Sequence, residues 1–260
     1  MAEHPAGSAG YGLDQYLRRA GHELRTPLTS IVASASILAL SADLPAEAGR
    51  FVEVIARNSR RLADVIDALL DLAALDHDVA VLRPVRLDLA DMVRMAVAGL
   101  PADRQVSVNL PAVLPLDADA GRLAQVLAAL RDNAVAFTRP GDSIAVGLTT
   151  VGPFAELVIA DTGIGVPEEE FPLVFEPLHR SSRADEQQIP GVGLGLPISR
   201  RIAELHHGTL DLLPTAGGGV AAVLCLPLPQ GPARSDGGFD VAQAVGGNTG
   251  GAESRGDGRG

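Results

Sequence analysis

Apolar positions near the start of the chain recur in alternating steps of three and four residues, the spacing of a helix with one narrow apolar seam. The first seam comprises Leu17, Gly21, Leu24, Leu28, Ile31, Ala35 and Leu38. The second comprises Phe51, Ile55, Asn58, Leu62, Val65, Leu69 and Leu72. Polar residues and a proline separate them at Ser41–Pro45, so the pattern predicts an antiparallel helical hairpin. Two such hairpins can bury their seams by pairing into a dimeric four-helix bundle.

In the remainder of the chain, segments with the apolar spacing of strands are mixed with segments that have the spacing of helices. The two kinds of segment do not alternate strictly. The predicted strands are Arg86–Asp88, Gln105–Leu110, Ser143–Thr150, Phe154–Ala160 and Val220–Leu226. The predicted helices are Leu89–Leu100 with Asp88 as N-cap, Gly121–Phe137, and Pro197–His206 with Pro197 at its first position. This order favours an α+β sandwich with helices on one face of the sheet.

These patterns divide the chain into five parts. We expect a flexible N-terminus at 1–10, the helical dimerisation domain at 11–76, a linker at 77–84 and the mixed domain at 85–229. The segment 230–260 is rich in glycine and poor in large apolar residues, so it is predicted to be a disordered tail.

Composition excludes several classes of protein. The formal net charge of −11 argues against a nucleic-acid partner, and all 21 basic residues are arginine. The single cysteine, Cys225, excludes a disulfide framework and is expected to be buried in a strand. The apolar run Ile31–Ala42 is too short to span a bilayer, and Met1–Gly10 lacks the features of a signal peptide. The sequence therefore predicts a cytoplasmic chain without a membrane segment.

Three motifs carry candidate chemistry. His22 begins the segment HELRTPL, and a neutral imidazole is a good nucleophile near pH 7. The segments DTGIG at 161–165 and GVGLGL at 191–196 are glycine-rich, and the second leads into a predicted helix, where backbone amides favour phosphate. Absence of lysine excludes a Walker loop, and the glycine spacing does not fit a dinucleotide fingerprint.

Asn133 is a polar residue on an apolar helical stripe formed by Val126, Leu130 and Phe137. A polar side chain in such a place either satisfies a buried partner or faces a ligand.

In this order, the motifs resemble those of the sensor histidine kinases of two-component systems. The resemblance implies a dimeric helical hairpin followed by a Bergerat-type α/β sandwich that binds ATP and Mg²⁺. It implies that His22 accepts the γ-phosphoryl group of ATP and passes it to an aspartate of a response-regulator receiver domain. By the same resemblance, Glu23 is the base and Thr26 positions water for the reverse, hydrolytic reaction.

The resemblance also implies the nucleotide contacts. Asp161 would accept the adenine amino group, Gly163 and Gly165 would make room for the base, and Asn133 would coordinate magnesium. Phe175 matches the phenylalanine box of a mobile lid at Pro167–Pro190. The second glycine box, which would hold the phosphates, comprises Gly191, Gly193, Leu194, Gly195 and Leu196.

The chain departs from the family pattern at Ala129, Ala136 and Leu178, where an asparagine, a lysine and an aromatic residue are usual. Arg131 or Arg139 are candidates to replace the missing cation. These departures leave open a degenerate member with weak kinase activity, acting mainly as a response-regulator phosphatase or scaffold. A third reading is an ATPase of the gyrase, Hsp90 and MutL superfamily. The sensor input and the cognate regulator cannot be identified from the sequence.

Overall fold

The computed structural model describes residues 28–39, 45–76 and 81–229. The first helix, α1, covers residues 28–39 within that range, and α2 runs over Ala46–Asp76. Ala35 of α1 packs with Val52 and Ala56 of α2, so the two helices form the predicted hairpin. His22, Glu23, Thr26, the predicted flexible N-terminus and the predicted tail lie outside the described residues.

Much of the predicted seam is exposed in a single chain. Phe51 is 64% exposed and Ile55 50%, and Ile31, Leu38 and Leu62 are also exposed. Solvent exposure of this many large apolar side chains along one hairpin is unfavourable, and pairing with a second hairpin would bury them.

The second part of the chain forms two sheets and four helices in the described range. The bounds are β1 Val85–Asp88, α3 Leu89–Val97, β2 Gln105–Asn109, β3 Pro115–Ala118, α4 Ala120–Ala136, β4 Ser143–Val151, β5 Phe154–Asp161, α5 Ser182–Glu186, α6 Gly195–Leu205, β6 Thr209–Pro214 and β7 Val220–Pro227. The five-stranded sheet has the order β2-β4-β5-β7-β6, with β2 parallel to β4 and all other neighbours antiparallel. Strands β1 and β3 form a separate antiparallel pair.

Helices α3, α4 and α6 cover one face of the large sheet, as the sequence predicts. Alternate strand residues such as Ile144, Leu157 and Leu224 point into the same core as Val126 and Ile202 of the helices. All five are at most 1% exposed. This layer holds the carboxyl end of β5 and the amino-terminal end of α6 close to α4, which positions the site.

Local sequence signals explain the helix ends. The Asp88 carboxylate accepts from Ala90 N and caps α3, as predicted, although α3 ends at Val97 and not at Leu100. The prediction that Pro197 opens α6 is wrong, because the helix begins at Gly195. Proline is tolerated at this third position, since the amides of the first helical turn have no intrahelical acceptor.

The end of α2 is attached to the second domain. Leu72 and Leu75 are buried in its core, and the Arg201 side chain donates to the Leu75 carbonyl oxygen at 3.2 Å. Arg122 of α4 forms a salt bridge with Asp71 at 2.7 Å. None of the helices in the described ranges is long and apolar enough to cross a membrane.

Candidate functional site

A cavity of about 390 Å³ lies between α4, α6, the large sheet and the segment that follows β5. Its volume is in the range of small-molecule sites. The walls include Asn133, Asp161, Gly165 and the whole second glycine segment, residues 191–196. The structure therefore brings together most of the residues that the sequence selected for nucleotide binding.

Asp161 is the last residue of β5 and is 7% exposed. Its Oδ1 accepts from Gly163 N at 2.9 Å and from Val220 N at 3.4 Å. Burial raises the pKa of Asp161 to about 6, although the two amide donors act in the opposite direction. A carboxylate has about four acceptor positions, so Asp161 retains capacity for a donor on a ligand.

The first glycine segment requires glycine because other backbone atoms approach it. A Cβ on Gly163 would lie 2.1 Å from the Phe137 carbonyl oxygen, which accepts from Ile164 N at 3.1 Å. Gly165 has a φ of +67°, and a Cβ there would lie 2.0 Å from the Gly218 carbonyl oxygen. These contacts fix the turn after Asp161. Gly163 supports this turn and does not itself line the cavity.

The second glycine segment ends at the amino terminus of α6. Gly193 has a φ of +73°, and a Cβ there would lie 2.3 Å from the His179 carbonyl oxygen. The Gly193 carbonyl oxygen accepts from Leu178 N at 2.9 Å, which joins this segment to the one that precedes it. The first amides of α6 and its partial positive charge make this end of the cavity suitable for an anion.

Two of the three α4 positions at which the family pattern has a polar residue line the cavity. Asn133 is half-buried and Ala136 is exposed, and both lie on the wall. Ala129, the third of these positions, is not part of the cavity wall. Ala129 Cβ instead lies 3.7 Å from the position that a Cβ on Gly195 would occupy, so these small residues let α4 and α6 approach closely.

Arg131 and Arg139, the candidates to replace the missing lysine, do not point into the cavity. Arg131 contacts Asp132 and the Ala96 carbonyl oxygen, and Arg139 donates to the side chain of Gln187 at 2.7 Å. Neither lines the cavity.

Arg180 does line the cavity, and the sequence reasoning did not select it. Its guanidinium donates to the carbonyl oxygens of Ile189 at 2.6 Å and Gly191 at 2.7 Å. Among the arginines of residues 167–190, Arg180 is therefore the one whose guanidinium binds the second glycine segment. Its location within the predicted lid at Pro167–Pro190 was the available signal.

The segment 167–190 folds over the cavity. It contains a 3-10 turn at Glu168–Glu170 and helix α5, whose first amide, Ser182 N, is bonded to the Glu170 carboxylate at 3.0 Å. Phe175 packs on the core with Arg200 4.6 Å above its ring centre, so it anchors this segment to α6. Phe175 does not line the cavity, but its neighbour Val174 does.

The turn between β6 and β7 also supports the site, and the sequence reasoning missed it. The Thr215 hydroxyl donates to the Asp161 carbonyl oxygen at 3.2 Å, and a Cβ on Gly219 would lie 2.1 Å from that same oxygen. The run of three glycines at 217–219 was the available signal.

Magnesium fits the cavity only if oxygens of substrate phosphates and water supply most of its ligands. Among the described residues, no group of three or more His, Cys, Asp or Glu side chains could hold a metal ion. The amide oxygen of Asn133 is a suitable single ligand, and Mg²⁺ is commonly bound through one or two protein groups together with substrate phosphates and water.

Comparisons with known proteins agree with this site. Residues 13–78 match the His Kinase A (phospho-acceptor) domain. Residues 118–230 match the family described as histidine kinase-, DNA gyrase B-, and HSP90-like ATPase. The first match implies dimerisation and two-component signalling, and it favours a kinase over an ATPase of the gyrase type.

A relative and two solved structures extend the comparison. The sensor histidine kinase TmoS of Ectopseudomonas mendocina is 33% identical over 83% of this chain, which spans 23% of TmoS. The structure of the mycobacterial sensor histidine kinase MprB is 30% identical, with a TM-score of 0.52 over 55% of this chain and 98% of that chain.

Full-length ShkA, crystallised with AMPPNP, is 24% identical, with a TM-score of 0.69 over 84% of this chain and 47% of that chain. This second structure supports the fold of both the hairpin and the sheet domain. Taken with the phospho-acceptor and ATPase matches and the cavity, the likeness to MprB shows that this chain belongs to the sensor histidine kinases.

Proposed function

We infer that the protein is an ATP-dependent protein-histidine kinase. It autophosphorylates His22 from Mg-ATP and passes the phosphoryl group to an aspartate of a response-regulator receiver domain. One observation carries this inference: the cavity places Asp161, Asn133 and the amino-terminal end of α6 around a single space. We assign phosphotransfer and dimerisation to residues 11–76 and nucleotide binding to residues 85–229.

The two ends of the cavity suit the two ends of ATP. Asp161 sits among apolar residues such as Ile159 and Ala222, and its carboxylate would accept the adenine amino group. At the other end, Gly191, Gly193 and the first amides of α6 would donate to the phosphates. Gly163 and Gly165 keep the turn beside Asp161 free of side chains, which leaves space for the base.

Few positively charged groups are placed to neutralise the phosphates of a bound nucleotide. Magnesium bound there would neutralise the developing charge of phosphoryl transfer, and Asn133 would hold it. Ala136 supplies no cation, and the guanidinium groups of Arg180 and Arg61 both donate to the Gly191 carbonyl oxygen. Arg180 also forms a salt bridge with Asp185. His22 would attack the γ-phosphorus with Glu23 accepting the imidazole proton, and Thr26 would position water for hydrolysis of the phosphorylated regulator.

The experiment is incubation of the full chain with γ-labelled ATP and Mg²⁺, followed by a test for acid-labile label. Label is expected on the wild-type chain and should disappear in His22→Gln. Asn133→Ala should also abolish it, whereas Asn109→Ala, which removes an exposed amide from β2, should not. Label that persists in His22→Gln would overturn the assignment of the acceptor.

An alanine at position 136, where the family pattern has a lysine, favours a second candidate function. That candidate is a weak kinase that acts mainly as a phosphatase or scaffold. That candidate predicts nucleotide binding without label. It also predicts that the chain dephosphorylates a phosphorylated receiver domain and that Thr26→Ala removes this activity. Strong labelling of the wild-type chain would exclude it.

A further inference from the structure

Helix α2, which belongs to the dimerisation hairpin, forms part of the cavity wall. Asp64 and Ala68 line the cavity, and the Arg61 side chain donates to the Gly191 carbonyl oxygen at 3.3 Å. Gly191 begins the second glycine segment, so α2 meets the cavity at the end that suits phosphate. Asp64 follows Arg61 by one helical turn and therefore lies near this end.

A polar cluster fixes α2 in this place. One guanidinium nitrogen of Arg122 lies 2.7 and 2.9 Å from the two carboxylate oxygens of Asp71, and the Gln125 amide donates to Asp71 at 2.8 Å. Because Asp71 follows Asp64 by seven residues, the two lie on the same face of α2. Docking through Asp71 thus determines where Asp64 lies.

The charged side chains that α2 brings to the cavity affect how tightly a polyphosphate binds there. Asp64 lines the cavity, whereas Arg61 does not and instead donates to a backbone carbonyl. Arg180 is the one arginine among the described lining residues, and the Arg61 guanidinium reaches the same end of the cavity at the Gly191 carbonyl oxygen. A second negative charge near a polyphosphate is unfavourable, and because Asp64 is exposed this repulsion is screened by salt.

We propose that docked α2 lowers the affinity of the cavity for nucleoside polyphosphates through Asp64, and that binding of a polyphosphate weakens the docking of α2. This rests on the proposed function, namely that the cavity binds ATP. Reciprocity follows from linkage, because a ligand that binds the undocked form more tightly must shift the equilibrium toward that form. The Asp71–Arg122–Gln125 cluster would therefore set nucleotide affinity without touching nucleotide.

The first test is calorimetric titration of the full chain with Mg-ADP, which cannot donate a γ-phosphoryl group. Asp64→Asn is expected to tighten binding roughly threefold to tenfold, with a smaller gain at high salt. Glu53→Gln is the matched control. It removes one carboxylate from an exposed position of the same helix, outside the cavity, and should leave affinity unchanged.

The second test breaks the docking cluster. Arg122→Gln should also tighten Mg-ADP binding, and adding Asp64→Asn to it should give little further gain because Asp64 has left the cavity wall. Equal affinities for Asp64→Asn, Glu53→Gln and wild type would overturn the coupling while leaving the ATP site intact. Failure of the wild-type chain to bind Mg-ADP or ATP would overturn the proposed function itself, and the coupling with it. Should Arg122→Gln fail to fold, the Asp64 comparison stands alone, because Asp64 is exposed.

Discussion

The backbone amide of Gly163 donates a hydrogen bond of 2.9 Å to Oδ1 of Asp161 at the end of β5. Gly163 can adopt this position only because it lacks a Cβ, which would meet the Phe137 carbonyl oxygen at 2.1 Å. The carboxylate is therefore held in one orientation by a turn that itself depends on α4. Burial of this carboxylate has consequences for binding and for stability that can be measured separately.

Nucleotide affinity should depend on pH through Asp161. The ionised carboxylate is the better acceptor for the adenine amino group, and its pKa is raised to about 6. We expect affinity to be constant above about pH 7 and to fall as pH decreases through about 6. Phosphate groups also titrate near pH 6, so the measurement is the difference between wild type and Asp161→Asn. Parallel pH profiles for the two proteins would contradict the assignment.

The same residue should make the protein less stable at high pH. Since the pKa is about 6 in the folded chain against an ordinary 3.8, the folded state holds a proton more tightly than the unfolded state. The free energy of unfolding therefore falls as pH rises through this window, by about 3 kcal/mol in total. Asp161→Asn should be more stable than wild type at pH 8 in urea denaturation, and the difference should shrink toward pH 4.

Gly163→Ala should disturb both the turn and the site. The new methyl group would overlap the Phe137 carbonyl oxygen, so backbone must move, at a cost of about 1 to 3 kcal/mol. Thermal unfolding and nucleotide titration should both show the loss. Gly99→Ala is the control, because no atom lies within 4 Å of a Cβ there and φ is not positive. Equal stability of the two variants would contradict this account of the turn.

Ala136→Lys should strengthen nucleotide binding. Ala136 lines the cavity, and an ammonium group there would add a favourable charge interaction with a polyphosphate, worth roughly threefold to tenfold in affinity. Ala124→Lys places the same charge on an exposed position of α4 outside the cavity. A similar gain in both variants would show that net charge, and not position, is responsible.

His206 should stabilise the contact between α6 and α4. Its Nε2 accepts from Asp119 N at 2.9 Å, and its Nδ1 lies 2.8 Å from the Ile202 carbonyl oxygen. His206→Phe would leave the Asp119 amide without its acceptor and should cost about 1 to 3 kcal/mol in urea denaturation.

The neighbouring residue should respond with the opposite sign. His207 has a φ of +59°, which glycine adopts without strain, so His207→Gly should stabilise by about 1 kcal/mol. If His207→Gly instead destabilises the protein as much as His206→Phe does, the His207 side chain makes a stabilising contact that outweighs the backbone strain.

Strong local patterns predicted the central strands and helices well. The stretches around β4, β5 and β7 are long and apolar, and their predicted bounds agree with the structure to within one residue. Strands β3 and β6 were missed, since Pro115–Ala118 is only four residues long and Thr209–Pro214 has a mixed pattern. Short strands are stabilised by pairing with neighbours, and pairing cannot be recognised from local spacing.

The sequence by itself determined the family, the hairpin with its unsatisfied apolar seam, and the motifs that contain Asn133, Asp161 and the two glycine segments. These depend on residue type and local spacing. Only the tertiary structure decided that Arg180 lines the cavity while Arg131 and Arg139 do not, and that Ala129 packs on Gly195. It also decided that Asp64 of α2 joins the cavity wall. Such contacts join residues far apart in the chain, and their formation depends on how helices and loops pack, which no local pattern encodes.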